Sequence, residues 1–277
     1  MRFAKMHGLG NDMIVVNGFT EELPADLGAL AVAMCDRHLG IGADGLVILS
    51  PPRDPQHAAL FRIFNSDGSE AGMCGNGVRC AALFARREGI TDREEFVFET
   101  IYDQVRPAIL DEAAGVVRVD MGEPRLKPAD IPADFPGSRV VAAALPVGTR
   151  VFYATLVSLG NPHCVIFVDD LDGFPVEKIG PQIEHHALFP EKTNVEFVQL
   201  AGDDKLKMRV WERACGETLA CGSGACAATV AAILNGYLKD EAEVLLRHGS
   251  LAVSWGADDH IYLTGPAALI ATGEFVV

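Results

Sequence analysis

No run of about 18 apolar residues occurs anywhere in the chain, so no transmembrane helix is expected. The opening residues, Met1-Arg2-Phe3-Ala4-Lys5-Met6-His7, lack the apolar core of an export signal, which makes the cytoplasm the expected compartment. Positive charge is also scarce. Lys and Arg number 23 against 38 Asp and Glu, for a formal net charge of −15. That balance argues against nucleic acid or an anionic membrane as the partner. No Cys-x-x-Cys pair occurs either. Cys74 and Cys80 stand six positions apart and Cys221 and Cys226 five, which does not suit zinc, and on a helix these pairs point in different directions. Neither a bound metal nor dithiol redox chemistry is expected. The GLGND of residues 8–12 lacks the GxGxxG spacing before a helix, which excludes the dinucleotide fingerprint.

What is present is a chain of 277 residues, 49% hydrophobic and 22% charged, enough for one large globular domain or two ordinary ones. It holds seven cysteines, Cys35, Cys74, Cys80, Cys164, Cys215, Cys221 and Cys226. An odd number without an export signal predicts free thiols rather than a disulfide framework.

Two of those cysteines open the same phrase. Residues 74–77 read CGNG and residues 221–224 read CGSG, each ahead of an alanine-rich apolar run. Aligning Cys74 with Cys221 places Glu70 on Glu217, Gly77 on Gly224 and Gly89 on Gly236, an offset of 147. Upstream, Leu-Gly-Asn at residues 9–11 and at 159–161 leads into an apolar segment both times, at an offset of 150. Two matches in the same order at nearly equal offsets predict an internal duplication.

The local pattern agrees. Residues 60–65 and 206–213 read as strands leading to the two cysteines. Residues 78–85 and 225–234 read as helices ending near Gly89 and Gly236, each suited to a left-handed cap. The second helix has almost no polar face, so it must be buried on all sides. The remaining segments read mostly as short strands: 96–100, 151–157, 165–168 and 195–200. The expected fold is a central helix wrapped by a curved sheet, made twice, with the Pro- and Gly-rich residues 122–148 connecting the halves.

Each cysteine of the repeated phrase sits where a strand hands over to a helix. Helix-start amides lack internal partners and carry the positive end of the dipole, which stabilises a thiolate. The flanking glycines let those amides approach an anion closely. Two such thiols suit inversion of a carbon centre: one takes a proton from one face, the other returns a proton to the opposite face. Helix-start amides on a substrate carboxylate supply electrostatic stabilisation. Taken singly, Cys74 and Cys221 read as readily as buried hydrophobes; the repetition favours chemistry. Cys35, Cys80, Cys164 and Cys226 read as small buried hydrophobes.

Residues 7–12 (HGLGND), 64–80 (FNSDGSEAGMCGNGVRC), 160–170 (GNPHCVIFVDD) and 212–228 (ERACGETLACGSGACAA), with LTGPA at 263–267, resemble the diaminopimelate epimerase family in its own order. The resemblance implies an α+β fold of two pseudo-symmetric lobes, each a curved, mostly antiparallel sheet around a central helix. The lobes would comprise residues 1–120, with the tail 266–277 packing back, and residues 121–265, with the active site in the cleft between. It implies a cofactor-independent isomerase interconverting LL- and meso-diaminopimelate, for lysine and peptidoglycan precursors, and a homodimer. By match to the motifs, Cys74 and Cys221 are the acid/base thiols. Asn11, Asn65, Asn161 and Asn194 hold the substrate's polar groups, and Gly75, Asn76, Gly222 and Ser223 supply the helix starts. Glu212 and Arg213 read the distal amino-acid end. His163 and Glu212 tune the thiols.

Three departures stand out from the family pattern: Gly45 in place of a substrate-facing Gln, an altered turn at residues 101–104, and Cys215 in place of a small non-thiol residue. Residues 247–251 (RHGSL) differ mildly from a Gly-Gly turn. Two rival readings share the motifs. One is a two-cysteine racemase of the proline or hydroxyproline type, which lacks a use for the charged pair Glu212-Arg213. The other is a non-catalytic pair of lobes that grips a zwitterion.

Overall fold

The computed structural model describes residues 1–101 and 103–276. The chain divides into two compact units, Met1–Asp120 with Thr264–Val277, and Met121–Leu263.

The first unit holds β1 (Arg2–Gly8), β2 (Asn11–Asn17), α1 (Leu27–Cys35), β3 (Gly45–Ser50), β4 (Ala59–Asn65), β5 (Glu70–Ala71), α2 (Gly75–Arg87), β6 (Phe98–Glu99), β7 (Gln104–Asp111) and β8 (Val116–Asp120). The second opens with a 3₁₀ turn (Pro128–Asp130). It continues through β9 (Ala143–Val147), β10 (Arg150–Ser158), β11 (Pro162–Phe167), α3 (Val176–Glu184), β12 (Asn194–Gly202), β13 (Lys205–Glu212), β14 (Gly216–Thr218), α4 (Gly222–Leu234), β15 (Glu241–Leu246) and β16 (Gly249–Trp255). Then β17 (Ile261–Pro266) spans the unit boundary, and β18 (Ala268–Glu274) pairs antiparallel with β1.

The duplication extends to the strand pairing. β1 pairs antiparallel with β2, β2 parallel with β3, β3 antiparallel with β4, and β4 antiparallel with β5 and parallel with β6. β10 to β15 repeat that series with the same directions. A bidentate ion pair recurs in the strand that delivers each cysteine. Arg62 Nε and Nη2 meet the Glu70 carboxylate at 2.6 and 2.8 Å, and Arg209 meets Glu217 at 2.8 and 3.0 Å. Two parallel charge-assisted bonds fix direction as well as distance. Each clamp therefore sets the strand-to-turn geometry ahead of its cysteine.

Each sheet wraps one helix. α2 packs against β1, β2, β3, β7 and β8, and α4 against β10 to β13, β15 and β16. Gly222 and residues 224–232 of α4 are buried, as an all-apolar helix requires. Both helices close on a left-handed glycine, Gly89 at φ 70° and Gly236 at φ 74°.

Two readings of the sequence are corrected here. α1 and α3 were not expected. They are nine residues each, too short for a clear helical period, and α3 carries Pro181 inside it. α1 is set by Asp26, whose side chain caps Ala29 N, and it buries Leu30, Ala31 and Met34 with Ile14, Leu46 and Phe64. Residues 122–148 are not a bare connection. Ile131, Val140, Leu145 and Val147 enter the core of the second unit beside Leu156, Ile166 and Phe197, and β9 pairs with β10. Prolines and glycines marked the turns in this stretch and hid the apolar residues between them.

The three departures have local accounts. Gly45 pairs with Asn65, and a Cβ there would lie 2.8 Å from Phe64 O and 3.2 Å from Met13 Sδ, so no side chain fits without a shift. The turn after β6 closes through Thr100, whose N–H donates to Asp103 O and whose hydroxyl accepts from Asp103 N. Tyr102 within it lies outside the described residues. Cys215 is exposed on a tight turn after Ala214, which adopts φ 64°. The RHGSL residues follow β15 directly and open β16, with Leu246 paired to Gly249.

Candidate active site

Each repeated cysteine is the N-cap of its helix, in extended backbone: Cys74 at φ −146° on α2 and Cys221 at φ −126° on α4. Gly75 and Gly222 are the first helical residues, both buried. The fourth residue of each phrase is glycine because another group approaches closely. A Cβ on Gly224 would stand 2.8 Å from Glu196 Oε1 and 3.3 Å from Cys221 Sγ, and one on Gly77 would stand 2.9 Å from Ile63 Cδ1. None of the seven cysteines is in a disulfide. Cys35, Cys80, Cys164 and Cys226 are buried. Burial pushes Cys35 and Cys80 up to about 12 and Cys164 well above its ordinary value, which keeps these thiols protonated.

In the first unit, Cys74 Sγ faces Asn11 Oδ1 at 3.9 Å. Asn76 Nδ2 donates to the same oxygen at 3.1 Å. Asn11 comes from the turn after β1, where Leu9 and Gly10 take positive φ, and its Nδ2 donates to Asp44 at 2.8 Å. Asn65 is exposed at the end of β4. Its Nδ2 donates to Ser69 Oγ at 2.9 Å, so its amide closes the turn that precedes Cys74.

In the second unit, Cys221 Sγ accepts from Gly224 N at 3.4 Å and lies 3.5 Å from Ser223 Oγ. Asn161, the repeat counterpart of Asn11, donates from Nδ2 to Ser223 Oγ at 3.3 Å. Its Oδ1 meets His163 Nε2 at 3.0 Å, and His163 Nδ1 meets Glu196 Oε1 at 2.7 Å. His163 and Glu196 are fully buried. An oxygen opposite Nε2 requires a hydrogen on that nitrogen. Glu196 Oε2 is buried with no hydrogen-bond partner.

The electrostatics around Cys221 pull two ways. Burial, then Glu212, then Glu196 raise its pKa; the Ser223 and Gly224 hydrogen bonds lower it. Burial and the two carboxylates win, and the thiol is held well above its ordinary value. Glu212 is itself raised by desolvation, which outweighs the hydrogen bonds from Thr218 and Cys221. Its carboxylate is thus engaged by a hydroxyl and by the thiol. Arg213 is half-buried and donates from Nη1 to Glu191 O at 3.3 Å. Asn194 is buried, donating to Pro162 O and accepting from Arg213 N, both at 2.9 Å, so it holds the backbone at Arg213.

Three residues that brace these networks were not singled out from the sequence: Arg79, whose Nη2 donates to Asn76 Oδ1 at 2.7 Å, Asp44 and Glu196. Two of them break the repeat. Arg79 falls on Cys226 at the 147 offset, and Glu196 corresponds to Val47 through the shared β2–β3 and β11–β12 registers. A charged residue opposite an apolar one in an aligned duplication was the available signal.

Comparison with known proteins agrees with these motifs. A family model described as diaminopimelate epimerase matches residues 3–127 and 155–270. A diaminopimelate epimerase of Pelotomaculum thermopropionicum is 50% identical over 278 residues, covering 99% of each chain. One from Moorella thermoacetica is 48% identical, also over 99% of each. Among solved structures, a PhzF-family phenazine biosynthesis protein of Bacillus anthracis aligns with a TM-score of 0.72 at 15% identity, covering 100% of this chain and 99% of that one. A hydroxyproline epimerase of Agrobacterium vitis, with bound trans-4-hydroxy-L-proline, aligns at 0.67 and 15% identity, covering 99% and 91%. These distant structures share the two-lobe α+β fold.

Proposed function

Because this chain belongs to the diaminopimelate epimerase family, we propose that Cys74 and Cys221 are its two acid/base thiols, acting on the α-carbon of diaminopimelate. One cysteine, as thiolate, takes the α-proton; the other, as thiol, returns a proton to the opposite face. The product is the epimer, and the two sulfurs have exchanged protonation states. LL- and meso-diaminopimelate interconvert with no net change in protons or electrons. The carrying observation is that the two cysteines cap equivalent helices of a duplicated fold, each joined through hydrogen bonds to the asparagine of a Leu-Gly-Asn turn.

The half-sites divide the remaining work. The amides at the starts of α2 and α4 stabilise charge that builds up on the substrate carboxylate as the proton leaves. Asn11, Asn76, Asn161 and Ser223 orient the sulfurs and offer polar groups to the substrate. Asn65 and Asn194 support the turns on which Cys74 and Arg213 stand. Arg213 pairs with the distal carboxylate. Glu212 and His163 act mainly on the Cys221 thiol, since Glu212's carboxylate is already engaged there. The chemistry proposed needs no metal, pyridoxal or nucleotide.

The test is run in deuterium oxide with LL-diaminopimelate. Deuterium should enter the α-carbon as meso product forms, and proline should show no exchange. Exchange on proline instead would replace this reading with the racemase alternative, and binding without any exchange would leave only a binding protein.

The same reading places the enzyme in the cytoplasm as a homodimer serving lysine and peptidoglycan precursors. No helix among the described residues is long and apolar enough to cross a membrane. Leu269 and Ile270 on β18 are exposed at 37% and 52%, apolar surface that a second copy would cover. Sedimentation at micromolar concentration should show twice the chain mass; a single 29.6 kDa species would reject the dimer.

A further inference from the structure

The duplication makes its exceptions informative. Arg79 on α2 and Cys226 on α4 occupy the same place, five residues into each helix after its cysteine cap. A small thiol fills the place in one unit, and a fully buried guanidinium fills it in the other. Burying a charge is costly, and the second unit shows that the helix position does not require one. Arg79 is accommodated with care. Nη2 donates to Asn76 Oδ1 at 2.7 Å, Nη1 to Gly75 O at 3.2 Å and Nε to Pro266 O at 3.3 Å. Gly8 leaves room for it, because a Cβ there would stand 2.9 Å from Nη2.

Arginine can only donate. It therefore draws the oxygen of the Asn76 amide and turns that amide's nitrogen outward, to Asn11 Oδ1 at 3.1 Å. The Asn11 oxygen also faces Cys74 Sγ. At the far end, Asn11 Nδ2 meets Asp44 Oδ2 at 2.8 Å, and Arg37 holds Asp44 at 2.7 Å. A carboxylate can only accept. The two amides are thus fixed from both ends, and flipping either sets like atoms against each other.

We propose that Arg79 is a positioning residue for the Cys74 half-site, acting through Asn76 and Asn11 to keep an oxygen rather than a nitrogen against the Cys74 sulfur. This rests on Cys74 being an acid/base thiol. With Arg79 removed, Asn76 is held only through its bond to Asn11, and the oxygen facing the sulfur is fixed from the Asp44 end alone.

The test is a double-mutant cycle of Arg79→Gln and Asn76→Ala, read by epimerisation rate and by iodoacetamide labelling of each cysteine. Arg79→Gln should slow epimerisation by about 10- to 100-fold, the scale of a misplaced catalytic group. In the Asn76→Ala background it should add less than about twofold, because the route to the sulfur is already cut. Labelling of Cys74 should change by about threefold or more while Cys221 stays constant, with exposed Cys215 as the internal reference. Losses that multiply across the cycle, or labelling rates of Cys74 and Cys221 that shift together, would make Arg79 a packing residue and overturn the proposal. Should Arg79→Gln fail to fold, Arg79→Lys enters the same cycle with the same criteria. Cys74→Ala separates the two ideas. Full turnover in that variant refutes the thiol's catalytic role, whereas the labelling cycle reports on Arg79 independently.

Discussion

Cys74→Ala and Cys221→Ala should each lower epimerisation by about 10⁴-fold or more, the upper range for loss of one positioned acid/base group. Inversion needs a sulfur to remove a proton and another to supply one, so neither thiol compensates for the other. The measurement is chiral separation of LL and meso isomers together with deuterium at the α-carbon. Either variant inverting at the wild-type rate would remove that cysteine from the reaction. The two variants should differ in stability. Cys221 Sγ accepts from Gly224 N, whereas Cys74 makes no side-chain cap bond to its own helix. Cys221→Ala should therefore lose about 1 kcal/mol or less of cap energy that Cys74→Ala does not, visible as a lower Tm in the first variant alone.

Glu212→Gln should move the ionisation of Cys221 to lower pH. Burial is the main reason the thiol stands high, and the Glu212 charge is next. Gln keeps an acceptor for Thr218 but removes that charge, so the thiolate becomes less unfavourable. The sign is set by repulsion between like charges: without the carboxylate, the sulfur gives up its proton sooner. The limb of the pH–rate profile governed by Cys221 should shift towards acid, and thiolate absorbance in the ultraviolet should shift with it. The rate at the optimum should fall by about 100-fold, because the tuned pair no longer matches its task. An unmoved limb would show that Glu212 does not govern this thiol. A limb displaced to higher pH would mean that Glu212 stands protonated and donates a hydrogen bond to the thiolate.

The legible part of this molecule was its repetition. Cys-Gly-x-Gly and Leu-Gly-Asn carry strict backbone demands: a helix start without side chains, and a turn at positive φ in Gly10 and Gly160. Such demands leave fixed letters, so the two copies align by eye. The clamps Arg62–Glu70 and Arg209–Glu217 follow from the same alignment, although only the glutamates were matched in advance. The short helices α1 and α3 left no such trace. Their burial is decided by what lies across from them, such as Trp211, whose ring atoms would stand 2.5 Å from a Cβ on Gly180. Nor did the apolar residues of 122–148 announce themselves, because they reach the core singly, between turns.

From its order of residues alone, the chain determines a duplicated α+β fold, a helix opened by a cysteine in each copy, and the family to which it belongs. Those features are local, written within a dozen residues each. Tertiary structure decided which charges surround each sulfur. Arg79 lies behind the Asn76–Asn11 chain at Cys74, while Glu196, His163 and Glu212 gather on the Cys221 side. Hydrogen-bond direction and desolvation depend on atoms brought together from distant strands, and no spacing along the chain encodes them.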